Sequence, residues 1–328
     1  MQTRRATAFA NSNIALLKYW GNRDEKLRLP ANPSLSMNLA GLETRTTVEF
    51  VAGLGEDEVV IGGEAQTGRV KERVSAHLDH IRARAGMTLK ARVESRNNFP
   101  AGAGLASSAS AFAALTLAGA AAAGLALSES ELSALARLGS GSAARSIPAG
   151  FVEWQVGETH DESFAFSIAP PDHWALVDVV AVISRAHKAV GSTSGHALAG
   201  TSPLQAARVA TASVRLRRCR EALLSRNFYE FAEVVEADSN IMHAVMMTST
   251  PPLYYWQPLT LALMKSIREW RAEGVPVCFT IDAGPNVHCL CPAAAAPEVE
   301  RRLRALGVTE TLTAYPGGAA HLVNESKV

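Results

Sequence analysis

Four sites have the residue types and spacing that handle phosphate and carboxylate chemistry. In Pro100-Ala-Gly-Ala-Gly104-Leu-Ala-Ser107-Ser108-Ala-Ser110, Gly102 and Gly104 let the backbone turn its N–H groups inward. Ser107, Ser108 and Ser110 add hydroxyl donors at the start of an Ala-rich helical stretch, where the helix dipole favours an anion. The run reads as a phosphate cradle without the Gly-Lys-Ser/Thr of a Walker loop; a capped helix behind a flexible loop is the plainer alternative. Asp282 stands in a Gly/Pro turn after an apolar strand, where a carboxylate orients a hydroxyl nucleophile, takes its proton, or simply closes an Asx turn. Arg145 follows Ser140 and Ser142, so a planar guanidinium beside hydroxyls can fork onto a carboxylate or phosphate; a salt-bridged loop arginine is the alternative. Lys18 lies within an apolar run, 14–20. An unpaired ammonium there is costly to bury, so either a bound phosphate or Asp282 neutralises it, or its head reaches solvent.

These residues need elements to hold them. Apolar and polar residues alternate at 44–51 and 89–94 as in half-buried strands, and 68–85 carries a helical period. The second strand runs through Asn97-Asn98-Phe99-Pro100 into the glycine-rich turn, and a long buried helix starts near Ser107. Ser128 with Glu129 and Glu131 opens a helix over 128–138 that ends at Gly139. A strand is expected at 174–184, and the Gly/Ser/Thr-rich stretch 191–202 reads as a domain junction. Beyond it the pattern predicts helices at 203–224, 228–246 and 258–273, strands at 276–282 and 287–291, and a helix at 297–306.

The chain has 328 residues, enough for about two domains. With 48% apolar and 19% charged residues it is an ordinary globular composition. Lys plus Arg number 32 against 31 acidic residues, so no overall field gathers nucleic acid or anionic lipid, and an anion must meet a local site. Cys219, Cys278, Cys289 and Cys291 contain no CxxC pair, which points to a reducing cytosol rather than a disulfide framework. Arg4 and Arg5 imitate a signal n-region, but Asn11, Asn13 and Lys18 interrupt the apolar run that would follow, so export is not expected. The apolar stretch 111–127 falls short of a membrane span. His77 and His80 are expected to face water rather than hold a metal, and the basic run 215–220 to be a solvated helix face. Met242, Met246 and Met247 read as core packing.

Pro-x-x-x-Gly-Leu-x-Ser-Ser-Ala-Ser between a strand and a helix resembles the ATP loop of the GHMP superfamily of small-molecule kinases. The run 10–21 (Ala-Asn-Ser-Asn-Ile-Ala-Leu-Leu-Lys-Tyr-Trp-Gly), then Arg23-Asp24, Leu29-Pro30 and Ser34-Leu35-Ser36, resembles the N-terminal signature of the diphosphomevalonate decarboxylases within it. Gly139-Ser-Gly-Ser-Ala-Ala-Arg145-Ser146 and Asp282-Ala-Gly-Pro-Asn286 are similar to two further motifs of that family, and the four blocks span 10–286. The resemblance implies an α+β GHMP kinase fold, with an N-terminal domain like domain 2 of ribosomal protein S5 over 1–187, a C-terminal ferredoxin-like domain over 188–328, and the site between them. It implies an enzyme that uses MgATP to phosphorylate the tertiary 3-hydroxyl of a 5-phosphorylated mevalonate and then expels phosphate and carbon dioxide. By the same resemblance Asp282, Lys18, Arg145 and Asn13 are catalytic, and Gly102, Gly104, Ser107 and Ser108 meet ATP. Tyr19, Asn22, Ser140, Ser142 and Ser192 meet the substrate with Arg145. Magnesium arrives with ATP, Ser107 being the one candidate protein ligand, and a cytoplasmic homodimer is implied.

One departure bears on the substrate. The family reads Lys-Tyr-Trp-Gly-Lys-Arg-Asp, its second lysine meeting the 5-diphosphate, and this chain has Asn22 there. In Lys188-Ala-Val-Gly191-Ser192, Gly191 stands in place of a family serine. Losing a cation opposite a desolvated phosphate costs roughly 2 to 5 kcal/mol, which favours mevalonate 5-phosphate as substrate and isopentenyl phosphate as product. Arg23, Lys26 or an arginine of the 208–220 helix supplying the charge would restore the 5-diphosphate. A GHMP kinase that stops after phosphoryl transfer and a catalytically silent ligand sensor are the competing functions.

Overall fold

Two long alternating runs pair first: β1 (Arg5–Leu17) lies antiparallel to β4 (Ser34–Val51), and a small hairpin of β2 (Asn22–Asp24) and β3 (Leu29–Pro30) projects between them. The computed structural model describes residues 4–99, 107–186 and 190–323. The N-terminal half continues through β5 (Glu58–Ile61), β6 (Glu64–Ala65), α1 (Gly68–Ala85), β7 (Lys90–Asn97), α2 (Ser107–Ala122), α3 (Glu129–Gly139), a 3-10 turn (Gly141–Ser146), β8 (Phe151–Trp154) and β9 (Ala165–Ala169). Small residues let α2 sit deep against β1 and β4, where Ala113, Ala114 and Ala118 pack with Val48, Leu78 and Ile81. Ser128 caps α3 as expected, its side chain and that of Glu131 exchanging bonds in a capping box.

The C-terminal half runs β10 (Leu176–Ala181), α4 (Ser192–Leu198), α5 (Gln205–Leu224), α6 (Phe228–Met247), α7 (Pro258–Ala272), β11 (Cys278–Thr280), β12 (Val287–Pro292), α8 (Ala296–Ala305), β13 (Thr311–Pro316) and β14 (His321–Leu322). Strand residues of β10 point alternately to two apolar layers. Leu176 and Val180 meet Cys219, Phe231 and Val235 of α5 and α6, while Val177 and Val179 meet the layer holding Leu263, Ile267, Val299 and Leu303 of α7 and α8. β13 joins β10 to β4, pairing Tyr315 with Ala40 and Pro316 with Leu39, so one mixed sheet runs through both halves.

Several expectations change. The stretch 191–202, read as a domain junction, is folded into α4 and a 3-10 turn, and it packs inward: a Cβ on Gly195 would meet the Trp20 ring at 2.6 Å. The division expected between 187 and 188 falls on residues outside those described, and β10, which precedes it, pairs with β12 and β13. His77 does not face water. It is buried between α1 and α2 against Phe112, with Nε2 2.8 Å from Thr116 Oγ1, and burial pulls it down to about 3, so it is neutral. His80 is exposed. The basic run is solvated only in part, because Arg215 turns into the protein.

That inward turn serves the segment after β1. At Lys18 the chain leaves the sheet, and buried main-chain groups there need other partners. The Lys18 N–H donates to Asp238 Oδ2 of α6 at 2.6 Å, and the Lys18 carbonyl accepts from Arg208 Nη2 at 2.7 Å and Asn32 Nδ2 at 3.0 Å. The Trp20 carbonyl accepts from Arg208 Nη1 and Gln205 Nε2, and Arg215 Nε donates to Asp238 Oδ1 at 2.7 Å. Gly21 then turns at φ 91°, open to glycine but strained for other residues. α5 and α6 thus clamp the backbone that carries Lys18. Removing one partner of a buried ion pair leaves the other charge uncompensated, so Arg215→Ala is expected to lower unfolding free energy by about 3 to 5 kcal/mol in denaturant titrations. A loss below about 1 kcal/mol would show that the clamp does not hold the fold.

Candidate active site

The end of β1, the 3-10 turn, α6 and the loop after β11 converge on a cleft of about 730 Å³. Lys18 Nζ lies 2.5 Å from Asp282 Oδ1; the lysine side chain is 1% exposed and the aspartate 24%, so the carboxylate keeps a face toward the cleft. Burial opposes ionisation of Asp282, but Lys18, His288 and Arg145 outweigh it and hold the carboxyl below its ordinary value. Burial pulls Lys18 below its usual value against the raising effect of Asp282 and Asp238. The loop bearing Asp282 is itself fixed. Ser239 Oγ accepts from the Ile281 N–H at 3.0 Å, the Ile281 carbonyl lies 3.3 Å from His243 Nε2, and Asn286 Oδ1 accepts from the N–H groups of Ile183 and Ser184.

Arg145 is buried without a carboxylate at ion-pair distance among the described residues. Its Nη1 donates to Ser34 Oγ at 2.7 Å and its Nη2 to Asn13 Oδ1 at 3.3 Å, while its buried Nε has no partner. Burial pulls it down to about 10, with Asp282 and Tyr19 acting in the opposite direction. A guanidinium held by neutral groups keeps its charge for a ligand. Asn13 donates in turn to Ser146 Oγ at 2.8 Å and the Ser142 carbonyl at 3.1 Å, which sets the orientation of its own oxygen toward Arg145. Tyr19 packs on Trp154, and a Cβ on Gly141 would lie 2.5 Å from the Tyr19 ring, so only glycine lets the 3-10 turn pass beneath it.

A row of hydroxyls crosses the cleft from the N-terminal end of α2: Ser108 Oγ is 3.1 Å from Ser140 Oγ, which is 3.3 Å from Ser142 Oγ. Ser107 and Ser192 also line the cleft. Gly102 and Gly104 lie outside the described residues. Asn22 is at the cleft, its Oδ1 accepting from the Tyr19 hydroxyl and its Nδ2 donating to Glu25 at 2.9 Å. The other residues expected to act in catalysis or to meet the ligands therefore meet at this one cleft, although they come from positions 13 to 282. Ser110, expected to add a hydroxyl to the cradle, does not: it is wholly buried, accepting from Thr44 Oγ1 at 2.7 Å and donating to the Ser107 carbonyl at 3.3 Å.

The sequence reading missed four residues of the same wall. Arg28, Arg69 and Arg73 line the cleft, as does His196, whose Nδ1 accepts from the Gly21 N–H at 3.0 Å and whose ring stacks on Tyr19 at 4.2 Å. Arg69 and Arg73 stand at i, i+4 on α1, a spacing legible in the sequence, but no local signal assigns their helix face a destination. Beside these two arginines lies a second, apolar cavity of about 200 Å³ lined by Val59, Val74, Val93, Phe112 and Leu115.

Comparison with known proteins places the chain. The family described as Diphosphomevalonate decarboxylase-like N-terminal domain matches residues 10–165, and that described as Mevalonate 5-diphosphate decarboxylase C-terminal domain matches residues 178–320. The Diphosphomevalonate decarboxylase mvd1 of Aspergillus fumigatus is 40% identical over 304 residues, 86% of this chain and 75% of its own length. The Phosphomevalonate decarboxylase of Haloferax volcanii is 36% identical over 325 residues, 98% of this chain and 99% of its own. The solved structure of MDDEF in complex with MVAPP, AMPPCP and magnesium matches with a TM-score of 0.92 at 37% identity, covering 98% of this chain and 99% of that one. On the fold, the matched domains and the identities together, the chain belongs to the diphosphomevalonate decarboxylase family, with the GHMP fold.

Proposed function

We propose that the protein is an ATP-dependent decarboxylase of a 5-phosphorylated mevalonate, and that its preferred substrate is mevalonate 5-phosphate. The observation that carries the reaction is the pairing, within one cleft, of the Lys18–Asp282 ion pair with a buried Arg145 that has only neutral partners. Arg145 holds the substrate carboxylate, and Asp282 orients the tertiary 3-hydroxyl toward the γ-phosphoryl group of ATP. A carboxylate held below its ordinary pKa is a weak base, so its main task is alignment; as the new O–P bond forms and the bond from the γ-phosphorus to the departing ADP oxygen breaks, the hydroxyl proton, by then acidic, passes to Asp282. Once the 3-phosphate is in place, its C–O bond breaks with the electron pair going to phosphate. The C–C bond to the carboxylate supplies the pair for the new double bond, and carbon dioxide departs. Lys18 offsets the charge gathered at the departing oxygens.

Ser107, Ser108 and the start of α2 suit the ATP phosphates, and the apolar cavity beside Phe112 suits a nucleotide base. Magnesium favours phosphate oxygens, water and few protein ligands, and it would arrive with ATP, with hydroxyls such as Ser107 within the same cleft.

The monophosphate preference draws on Asn22, a neutral side chain engaged by Tyr19 and by the carboxylate of Glu25. The cations considered as replacements are occupied elsewhere or away from the cleft. Arg23 bonds Glu158, Arg208 and Arg215 belong to the backbone clamp, Arg218 pairs with Glu230 and Arg220 with Glu153, and neither Lys26 nor Arg217 lines the cleft. The full-length match to a phosphomevalonate decarboxylase supports the same reading. A second reading, the 5-diphosphate, draws on Arg28, Arg69 and Arg73, which keep positive charge on the cleft wall. Cytoplasmic placement and a homodimer remain part of the proposal.

Mevalonate carrying no, one or two 5-phosphates, offered with MgATP while carbon dioxide and ADP are followed together, separates these readings. ADP with a stable phosphorylated product would mark a kinase, and a tenfold or greater preference in kcat/KM for the 5-diphosphate, about 1.4 kcal/mol, would defeat the monophosphate reading. Asn22→Lys is expected to raise relative use of the 5-diphosphate. Asp282→Asn should fold and bind ATP but lose roughly 2 to 4 orders of magnitude in kcat; near-wild-type turnover would take Asp282 out of the reaction. Ser108→Ala should raise KM for ATP more than KM for the substrate, since a hydrogen bond to a charged group is worth about 1.5 to 3 kcal/mol. Unchanged ATP kinetics would break the phosphate-cradle reading.

A further inference from the structure

Arg28 is the last residue of the turn between β2 and β3, and its φ of 50° is left-handed, a conformation that strains any residue with a Cβ. The turn does not relax away from it because its neighbours pin it. The Leu27 N–H donates to Asp24 Oδ1 at 2.8 Å, and the Leu27 carbonyl accepts from Nε of the wholly buried Arg137 at 3.0 Å. Held in this way, Arg28 is half-buried and lines the cleft. Among the described residues no carboxylate lies within ion-pair distance of it.

Its charged company is cationic. Burial first, then Arg28 and Arg69, pull Arg73 down to about 10, and Arg73 is itself anchored to the Gly139 carbonyl at 2.9 Å and over the Phe112 ring. Guanidiniums gathered without carboxylates repel one another until a multiply charged anion enters. Arg69 and Arg73 also border the apolar cavity beside α2, whereas Arg28 does not. Arg28 instead supplies the leading charge felt by the Tyr19 hydroxyl, the group bonded to Asn22. Asn22 and Arg28 stand on the two sides of one hairpin, with Asn22 paired to Pro30, two residues after Arg28.

We propose that Arg28 is a specificity-determining residue for the substrate's 5-phosphoryl group, meeting a single 5-phosphate from the side of the β2–β3 hairpin opposite the neutral Asn22. This rests on the reading of the cleft as the site of a 5-phosphorylated mevalonate. The guanidinium binds the phosphoryl group before and during reaction alike, so its loss weakens substrate binding and leaves the chemical step.

The test is steady-state kinetics of the full-length enzyme on mevalonate 5-phosphate and 5-diphosphate with MgATP, with unphosphorylated mevalonate as a competitive inhibitor. Arg28→Gln is expected to raise KM for the 5-phosphorylated substrate about tenfold or more with kcat within about threefold, the signature of lost uniform binding. KM for ATP and inhibition by unphosphorylated mevalonate should not move, and Arg28→Lys should recover part of the loss. Arg28→Gly, which relieves the left-handed strain, should melt no lower than wild type and still lose the affinity, separating a ligand contact from a structural role. Asn22→Lys added to Arg28→Gln should restore affinity. A rise in KM for ATP in place of the substrate, or an unchanged substrate KM, overturns the proposal. A wild-type preference for the 5-diphosphate defeats the monophosphate reading alone, and the same tenfold rise on that substrate then still supports Arg28; absence of turnover on both substrates overturns both.

Discussion

The buried ion pair of Lys18 and Asp282 is the constraint from which most of this structure follows. An ammonium with 1% of its side chain exposed loses several kcal/mol of hydration, which only a well-placed carboxylate offsets. The two residues are 264 positions apart, so the pair exists only if the end of β1 and the loop after β11 are brought together and kept there. The protein does this with main-chain bonds rather than with the pair itself. Arg208, Asn32, Gln205 and Asp238 take up the polar groups of residues 18–20, Ser239 and His243 take up those of Ile281, and Asn286 ties the same loop to the main chain of Ile183 and Ser184. The ions can then face each other across a fixed gap, and Asp282 remains free to present an oxygen to the cleft.

The cations of the cleft divide by the company they keep. Lys18 meets a carboxylate, and its charge is largely spent within the protein. Arg145 meets a hydroxyl and an amide oxygen, which position it without neutralising it. Arg73 meets a carbonyl and an aromatic face. Elsewhere some arginines are paired with carboxylates, as Arg82 is with Asp57 and Arg271 with Glu236, while the buried Arg137 and Arg208 are consumed by main-chain carbonyls. The guanidiniums of the cleft wall differ in facing the space where phosphorylated ligands would lie. Such a local field would let a chain with a net charge of +1 hold polyanions.

The continuous sheet explains why the two halves make one site. β4 pairs with β1, β7, β8 and β13, so strands from both ends of the chain share a single hydrogen-bonded frame. α5 and α6 close over the end of β1 because their apolar faces and the β1 residues Ile14 and Leu16 belong to one core. The polar clamp is built into that packed layer, where an unpartnered carbonyl would be costly, and the active-site backbone inherits the rigidity of the core.

By itself the sequence determined the local elements and the chemical vocabulary. Hydrophobic period and caps located α1, α3, α6 and α7 closely, and the serine, arginine and aspartate motifs named the residues that meet at the cleft. Those signals are legible because they depend on near neighbours or on motifs with few structural solutions. What only the tertiary structure decided is which side chains are neutralised. Arg215 and His77 sit on helices whose sequence reads as solvated, and both are buried because another helix covers that face. Arg28 carries no local mark at all. The part proposed for it depends on a strained turn held by Arg137 from more than a hundred residues away, and on the lack of a carboxylate beside it among the described residues. Charge compensation is a property of three-dimensional neighbourhoods, set by burial and distance, and no spacing along the chain encodes it.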